Sequence, residues 1–188
     1  KLRIIILLIA IAEFPLIVHS QNQNATQPQK KIALVIGNGN YISGSTLANP
    51  ENDSRAIKTA LQNVGFTVME YENLNRVQMM KAIDDFGIKL KNNDVGLFFY
   101  AGHGIQSKGY NYLIPIDATL QSEQQVEYDC VQADRVLALM DGSGSKVNIL
   151  ILDACRNNPY PATHRGAFTK GLASIYAPKG TIIAFSTL

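Results

Sequence analysis

The chain has little of several things that would assign a function quickly. It carries two cysteines and three histidines in 188 residues, and no run of basic side chains. His19, His103 and His164 stand at no zinc-site spacing from Cys130 or Cys155, so the compact Cys/His patterns of zinc modules are absent and no metal site is expected. Residues 1–30 hold Lys1, Arg3, Lys30 and Glu13; without them, basic and acidic residues are equal in number. A near-neutral body with no basic stripe has no electrostatic footprint for nucleic acid. There is no GK[ST] sequence. The phosphate-loop look of "GNGNYI" at 37–42 lacks a third glycine and a helix opening directly behind it, which argues against a dinucleotide site. Internal repeats and low-complexity tracts are also missing.

Long apolar runs are scarce too. Residues 4–12 are wholly aliphatic, but Glu13 and Pro15 interrupt before a second short patch at 16–18. A membrane-spanning helix needs about 20 predominantly apolar residues. With Lys1 and Arg3 ahead of it and a Val18-x-Ser20 step behind it, the segment reads as a secretory signal peptide over residues 1–20. The expectation is a secreted or periplasmic protein with no stable membrane span after cleavage, with a retained membrane anchor as the alternative. Residues 21–30, "QNQNATQPQK", read as a flexible linker, and residues 31–188 as one domain.

Within that domain, short apolar β-branched runs alternate with amphipathic stretches. Residues 31–36, 66–71, 94–100, 146–153 and 180–186 read as strands, several of them apolar throughout. A first helix is expected from a cap at Asn52 or Asp53 to Val64, with Ala56, Ile57, Ala60, Leu61 and Val64 facing inward. A second follows a cap at Asn75 and carries Val77, Met80, Ile83 and Ile88. A third, short helix is read over residues 133–140, and a small hairpin over 105–117. This alternation predicts an α/β fold with a mainly parallel sheet flanked by helices in three layers, α/β/α. In such sheets, ligands bind beyond the carboxyl ends of the strands.

Two motifs fall there. "FFYAGHG" places His103 after the third strand, and "LDACRNN" places Cys155 after the fourth. Neighbouring parallel strands lie about 4.8 Å apart and end on one edge, so imidazole and thiol can face each other. A free thiol with pKa about 8.5 is only slightly ionised at neutral pH. An adjacent imidazole can take its proton and return it to a leaving amine, an effect of about 10²–10⁴-fold. Gly104 leaves room for a carbonyl oxygen near its N–H, which with the N–H of Cys155 gives a two-donor oxyanion site. The competing reading of the cysteines is a Cys130–Cys155 disulfide, plausible in an exported chain.

"YAGHG" followed by "LDACRNNP" resembles the catalytic p20 region of caspase-like cysteine peptidases, particularly the prokaryotic metacaspase-like branch. The caspase signature Q-A-C-[RQG]-G is not met: Asp153 replaces the glutamine and an asparagine the glycine. The resemblance implies a caspase–haemoglobinase fold and an endopeptidase with His103 and Cys155 as the dyad and Gly104 at the oxyanion hole. It also implies an acidic S1 pocket for Arg or Lys, with Asp53 and Asp153 at matching positions. The arginine-dominated S1 pocket of Asp-cleaving caspases has no counterpart. Peptides or proteins are the implied substrates and no cofactor is needed, although Asp117, Asp129 and Asp134 lie where some relatives bind activating Ca²⁺. Relatives continue into a p10-like segment after the position of Leu188. The expected alternative is therefore an incomplete or inactive caspase-like module that binds peptides or partners.

Overall fold

The computed structural model describes residues 28–155 and 172–186, with the backbone alone at Cys155. The expected signal peptide, most of the linker, His164 and the polar stretch after Cys155 lie outside these residues. Seven strands and four helices alternate along the described chain: β1 (Lys31–Gly37), α1 (Pro50–Asn63), β2 (Phe66–Glu72), α2 (Arg76–Leu90), β3 (Val95–Ser107), β4 (Tyr110–Leu113), α3 (Glu123–Asp129), β5 (Val131–Gln132), α4 (Ala133–Asp141), β6 (Val147–Cys155) and β7 (Thr181–Phe185). β2, β1, β3, β6 and β7 pair in that order, all parallel. β4 and β5 extend the sheet from the far half of β3 as an antiparallel ribbon.

Both faces of the parallel sheet are covered, which is why its strands are apolar at nearly every position. On one face Ala33, Val35, Leu97, Phe99, Ile149 and Ile151 pack under Ile57 and Leu61 of α1. On the other, Leu34, Phe98, Leu150 and Leu152 meet Met79, Ile83 and Phe86 of α2 and Val136, Leu137 and Met140 of α4. The result is the expected three-layer α/β/α arrangement. No helix among the described residues is long and apolar enough to cross a membrane.

The expected inward faces of the first two helices are corrected. α1 opens at Pro50, whose preset φ suits the first helical position. Asp53 is therefore inside the helix rather than at its cap, and the buried stripe is Pro50, Ser54, Ile57 and Leu61, with Ala56 exposed. In α2 the Asn75 cap is as expected: Asn75 Oδ1 accepts from Gln78 N–H at 2.9 Å and Gln78 Oε1 from Asn75 N–H at 3.0 Å. The buried face is Met79, Ala82, Ile83, Phe86 and Leu90, while Val77 and Ile88 are 74% and 65% exposed. Sparse apolar residues on both sides of a helix make its inward face ambiguous from sequence; the glycine at 87, lying against Leu139, belongs to the buried side. In urea unfolding, Ile83→Ala should cost about 2–5 kcal/mol, and Ile88→Ala less than ~0.5 kcal/mol.

β3 differs most from expectation. It runs on through "AGHG" to Ser107, so His103 lies inside a strand, not in the loop after one. Glycines depress strand propensity, but each fills a place where neighbours come too close for a side chain. A Cβ on Gly104 would lie 2.9 Å from Ala154 Cβ and 3.3 Å from Leu172 Cδ2. The hairpin to β4 turns on Lys108 and Gly109, both at positive φ (50° and 85°), as a type I′ turn requires.

Candidate active site

β1 ends in the loop of residues 38–49, and asparagines fix its course. Asn38 N–H donates to Ala101 O at 2.9 Å. Its buried amide nitrogen reaches Leu74 O and Ile114 O, while its Oδ1 accepts from Leu74 N–H at 2.9 Å. Asn73 Oδ1 accepts from the N–H groups of both Gly39 and Asn40, at 3.0 and 2.9 Å. The donors that gave "GNGNYI" its phosphate-loop look are thus directed at an asparagine side chain. The loop so anchored carries Tyr41 and Ser45 to the point where the parallel part of β3 ends.

His103 lies there, only 2% exposed. Its Nε2 is 2.8 Å from Ser45 O. A carbonyl only accepts, so Nε2 carries the proton and Nδ1 presents a lone pair. Nδ1 is buried and has no hydrogen-bond partner among the described residues. Burial lowers the imidazole pKa below its ordinary value, against a smaller opposing effect of the Ser45 hydrogen bond. The neutral, base-competent form is therefore favoured. The Tyr41 ring rests on the imidazole, centroids 4.6 Å apart and planes at 47°.

The parallel ladder between β3 and β6 sets His103 opposite Cys155, following Ala101 opposite Asp153 and Gly102 opposite Ala154. The two motifs that sequence reading singled out thus occupy one rung at the carboxyl edge of adjacent central strands. Gly104 is the next residue of β3, paired with Leu113 of β4. Because Ile114 N–H donates to His103 O at 3.0 Å, the alternation of an antiparallel ladder turns the Gly104 N–H away from β4. Asp153 is half-buried and follows Ile149 and Ile151 on the sheet face that α1 covers. Asp53, also half-buried, lies in the first turn of α1. Both carboxylates therefore belong to the α1 side of the same sheet edge.

The remaining candidates separate from this edge. Cys130 is a free thiol, 3% exposed and packed with Tyr112, Leu120 and Val126, which removes the disulfide reading. Burial pushes its pKa far above the ordinary thiol value. Asp117 Oδ1 accepts from Arg76 N–H at 2.9 Å at the start of α2. Among the described residues, no cluster of three or more His, Cys, Asp or Glu side chains is arranged to hold a metal ion.

Sequence reasoning missed Tyr41, Ser45 and Tyr100. Ser45 acts through its carbonyl, which no side-chain pattern reveals. Tyr100 sat in an apolar run and read as core. Tyr41 had only its place among glycines and asparagines to mark it.

Comparisons with known proteins bear on the family and the fold. Residues 30–188 match the family model described as the caspase domain. The mucosa-associated lymphoid tissue lymphoma translocation protein 1 of Homo sapiens is 31% identical over 150 residues, covering 77% of this chain and 18% of that protein. Caspase-1 of Mus musculus is 26% identical over 138 residues, 70% of this chain and 32% of that one. The chain thus spans less than a third of the length of these relatives. Among solved structures, the Drosophila initiator caspase Dronc superposes with a TM-score of 0.53 at 17% identity, over 67% of this chain and 50% of its own. The parallel sheet, the rung joining His103 to Cys155 and the family match lead to one assignment: this chain belongs to the caspase-domain family.

Proposed function

We propose that this chain is the catalytic part of a cysteine endopeptidase that cleaves after Arg or Lys through a Cys155–His103 dyad. The observation that carries the reading is the β3–β6 register pairing those two residues, beside an imidazole whose only open nitrogen is Nδ1. Nδ1 accepts the Cys155 proton as sulfur attacks the scissile carbonyl carbon. The C–N bond then breaks, the same proton passes to the leaving amine, and a thioester remains. Water adds to the thioester, giving one proton to Nδ1 that returns to sulfur as the C–S bond breaks, and the released carboxylic acid loses its remaining proton to solvent. The Gly104 and Cys155 N–H groups stabilise the oxyanion in both steps.

Basic specificity rests on Asp153 and Asp53, two carboxylates on one side of the edge that carries the dyad. A desolvated carboxylate binds guanidinium through charge-assisted, often bidentate bonds and rejects an acidic side chain by repulsion. This is the substrate choice of the metacaspase-like branch that the motifs resemble.

The test is a fluorogenic peptide panel differing only at P1 (Arg, Lys or Asp), assayed with and without Ca²⁺ on a chain that includes any natural sequence after Leu188. Arg and Lys peptides should be cleaved at least ~100-fold faster than Asp, as expected for interactions of a few kcal/mol. Asp153→Asn should lower the Arg rate by about 10-fold or more. Preference for Asp at P1 would refute the pocket while leaving the dyad intact.

A further inference from the structure

Three contacts on His103 come from the loop after β1, and two of them belong to Tyr41. Its ring lies on the imidazole, and its Oη accepts the His103 main-chain N–H at 2.7 Å. That N–H needs the acceptor. His103 O takes part in the antiparallel pairing with Ile114, but Ile114 O faces the Tyr100 hydroxyl at 2.9 Å. At the rung where β3 passes from the parallel sheet to the antiparallel ribbon, a phenol oxygen thus substitutes for a strand.

A second phenol completes the arrangement. Tyr100 Oη lies 2.8 Å from His103 O, 2.9 Å from Ile114 O and 3.3 Å from Tyr41 Oη. The two carbonyls only accept, so the single Tyr100 proton is directed to them. Both ends of the His103 main chain, N–H and C=O, are therefore held by tyrosine hydroxyls. Gly102 leaves the space for them: a Cβ there would sit 2.6 Å from Tyr100 Oη and 2.7 Å from Tyr41 Oη. In "Y-A-G-H-G", the first glycine makes room for the phenols that hold the histidine.

We propose that Tyr41 is a positioning residue for His103, clamping both its main chain and its ring so that Nε2–H stays on Ser45 O and the Nδ1 lone pair faces the rung shared with Cys155. The proposal rests on the dyad reading for its effect on catalysis. Its structural content, the tautomer and orientation of His103, can be read without catalysis. The Tyr41 ring seals one side of the imidazole. Its hydroxyl sets the height of the peptide plane from which the side chain springs. A displacement of about 1 Å at such a place can cost about 10²-fold in rate.

Tyr41→Phe keeps the ring and deletes the acceptor, and Tyr41→Leu deletes both. Tyr41→Phe should lower kcat about 10-fold and Tyr41→Leu about 100-fold, each with KM changed less than ~2-fold. Gly102→Ala, which pushes the two phenols aside, should match Tyr41→Leu. The activity-independent measurement is the imidazole ¹⁵N spectrum of His103. The wild type should show protonated Nε2 and unprotonated Nδ1, and Tyr41→Leu a mixture of tautomers.

Val126→Ala, in the same packed cluster as Tyr41, controls for loss of stability alone. It should lower the unfolding midpoint while the folded fraction keeps the wild-type kcat and tautomer. Tyr41→Phe folds most conservatively, and wild-type kcat in that variant, with an unmixed tautomer in Tyr41→Leu, would overturn the proposal. If Cys155→Ala retained full activity, the dyad reading would fail separately, and the ¹⁵N spectra would still decide the role of Tyr41.

Discussion

Cys155→Ala should abolish peptide hydrolysis, with kcat falling by 10⁵-fold or more. In the analogous loss of a serine nucleophile the fall is about 10⁶-fold, because the other groups act as a unit with the nucleophile and recover little without it. KM should stay close to the wild-type value, since the thiol contributes little to binding the ground state. The same variant should eliminate labelling of the folded protein by an iodoacetamide or epoxide probe. Cys130 is free but 3% exposed, with its ionisation suppressed by burial, so it should react only on unfolding. Retained hydrolysis in Cys155→Ala, or equal labelling of both thiols in the native wild type, would refute the cysteine-peptidase reading.

His103→Ala should have the second-largest effect, a fall in kcat/KM of about 10²–10⁴-fold. Its pH dependence follows from the burial of the ring. Because the folded pKa lies below the ordinary 6.5, the imidazole remains a neutral base at neutral pH. The acidic limb of kcat/KM should therefore fall at a pH below 6.5. Stability follows the same difference. Above pH 6.5 both folded and unfolded imidazoles are neutral. As the pH falls below it, the unfolded chain takes up the proton first, so stability declines until the folded imidazole also titrates, and then levels off. His103→Gln should remove that component of the acid instability, as a flatter dependence of the urea midpoint between pH 7 and pH 4. An acidic limb at or above pH 6.5 would show that the titrating base is another group, or that His103 is not enclosed as the structure has it.

Fold class and the two motifs were legible in the sequence for a physical reason. A parallel sheet covered on both sides demands unbroken apolar strands, and "ALVI", "LFFY" and "ILIL" are such strands in plain sight. The rule that sites form beyond their carboxyl ends then picked out His103 and Cys155. Details set by close approach were not legible. The glycines of "YAGHG" suggested a loop, whereas Gly102 and Gly104 sit inside β3 because phenol oxygens on one side and Ala154 on the other leave no room for a Cβ. The α2 face was misjudged because Val77 and Ile88 point outward, which apolarity alone does not reveal. β5 is two residues long, too short to show any alternation. α3 did carry a readable signal: Gln125 Oε1 accepts from Ser122 N–H at 3.1 Å, and the S-x-x-Q spacing of a helix start is visible in the chain. The contacts on His103 from Ser45 and Tyr41 depend on where the loop after β1 is anchored, a property of Asn38 and Asn73 acting from a distance along the sequence.

The order of strands in the sheet also sets when this edge can come into being. β1 pairs with β2 and β3 only after each intervening helix has been laid down, and β3 reaches β6 across the hairpin, α3 and α4. Such non-local parallel pairings form slowly, because loop closure must precede any gain from contact. The rung that joins His103 to Cys155 is the last of the β3–β6 ladder, and it exists only where that long-range pairing has formed. During synthesis, residues 108–146 must therefore be in place before His103 and Cys155 can share a rung, and under the proposed dyad the chemistry waits on that closure.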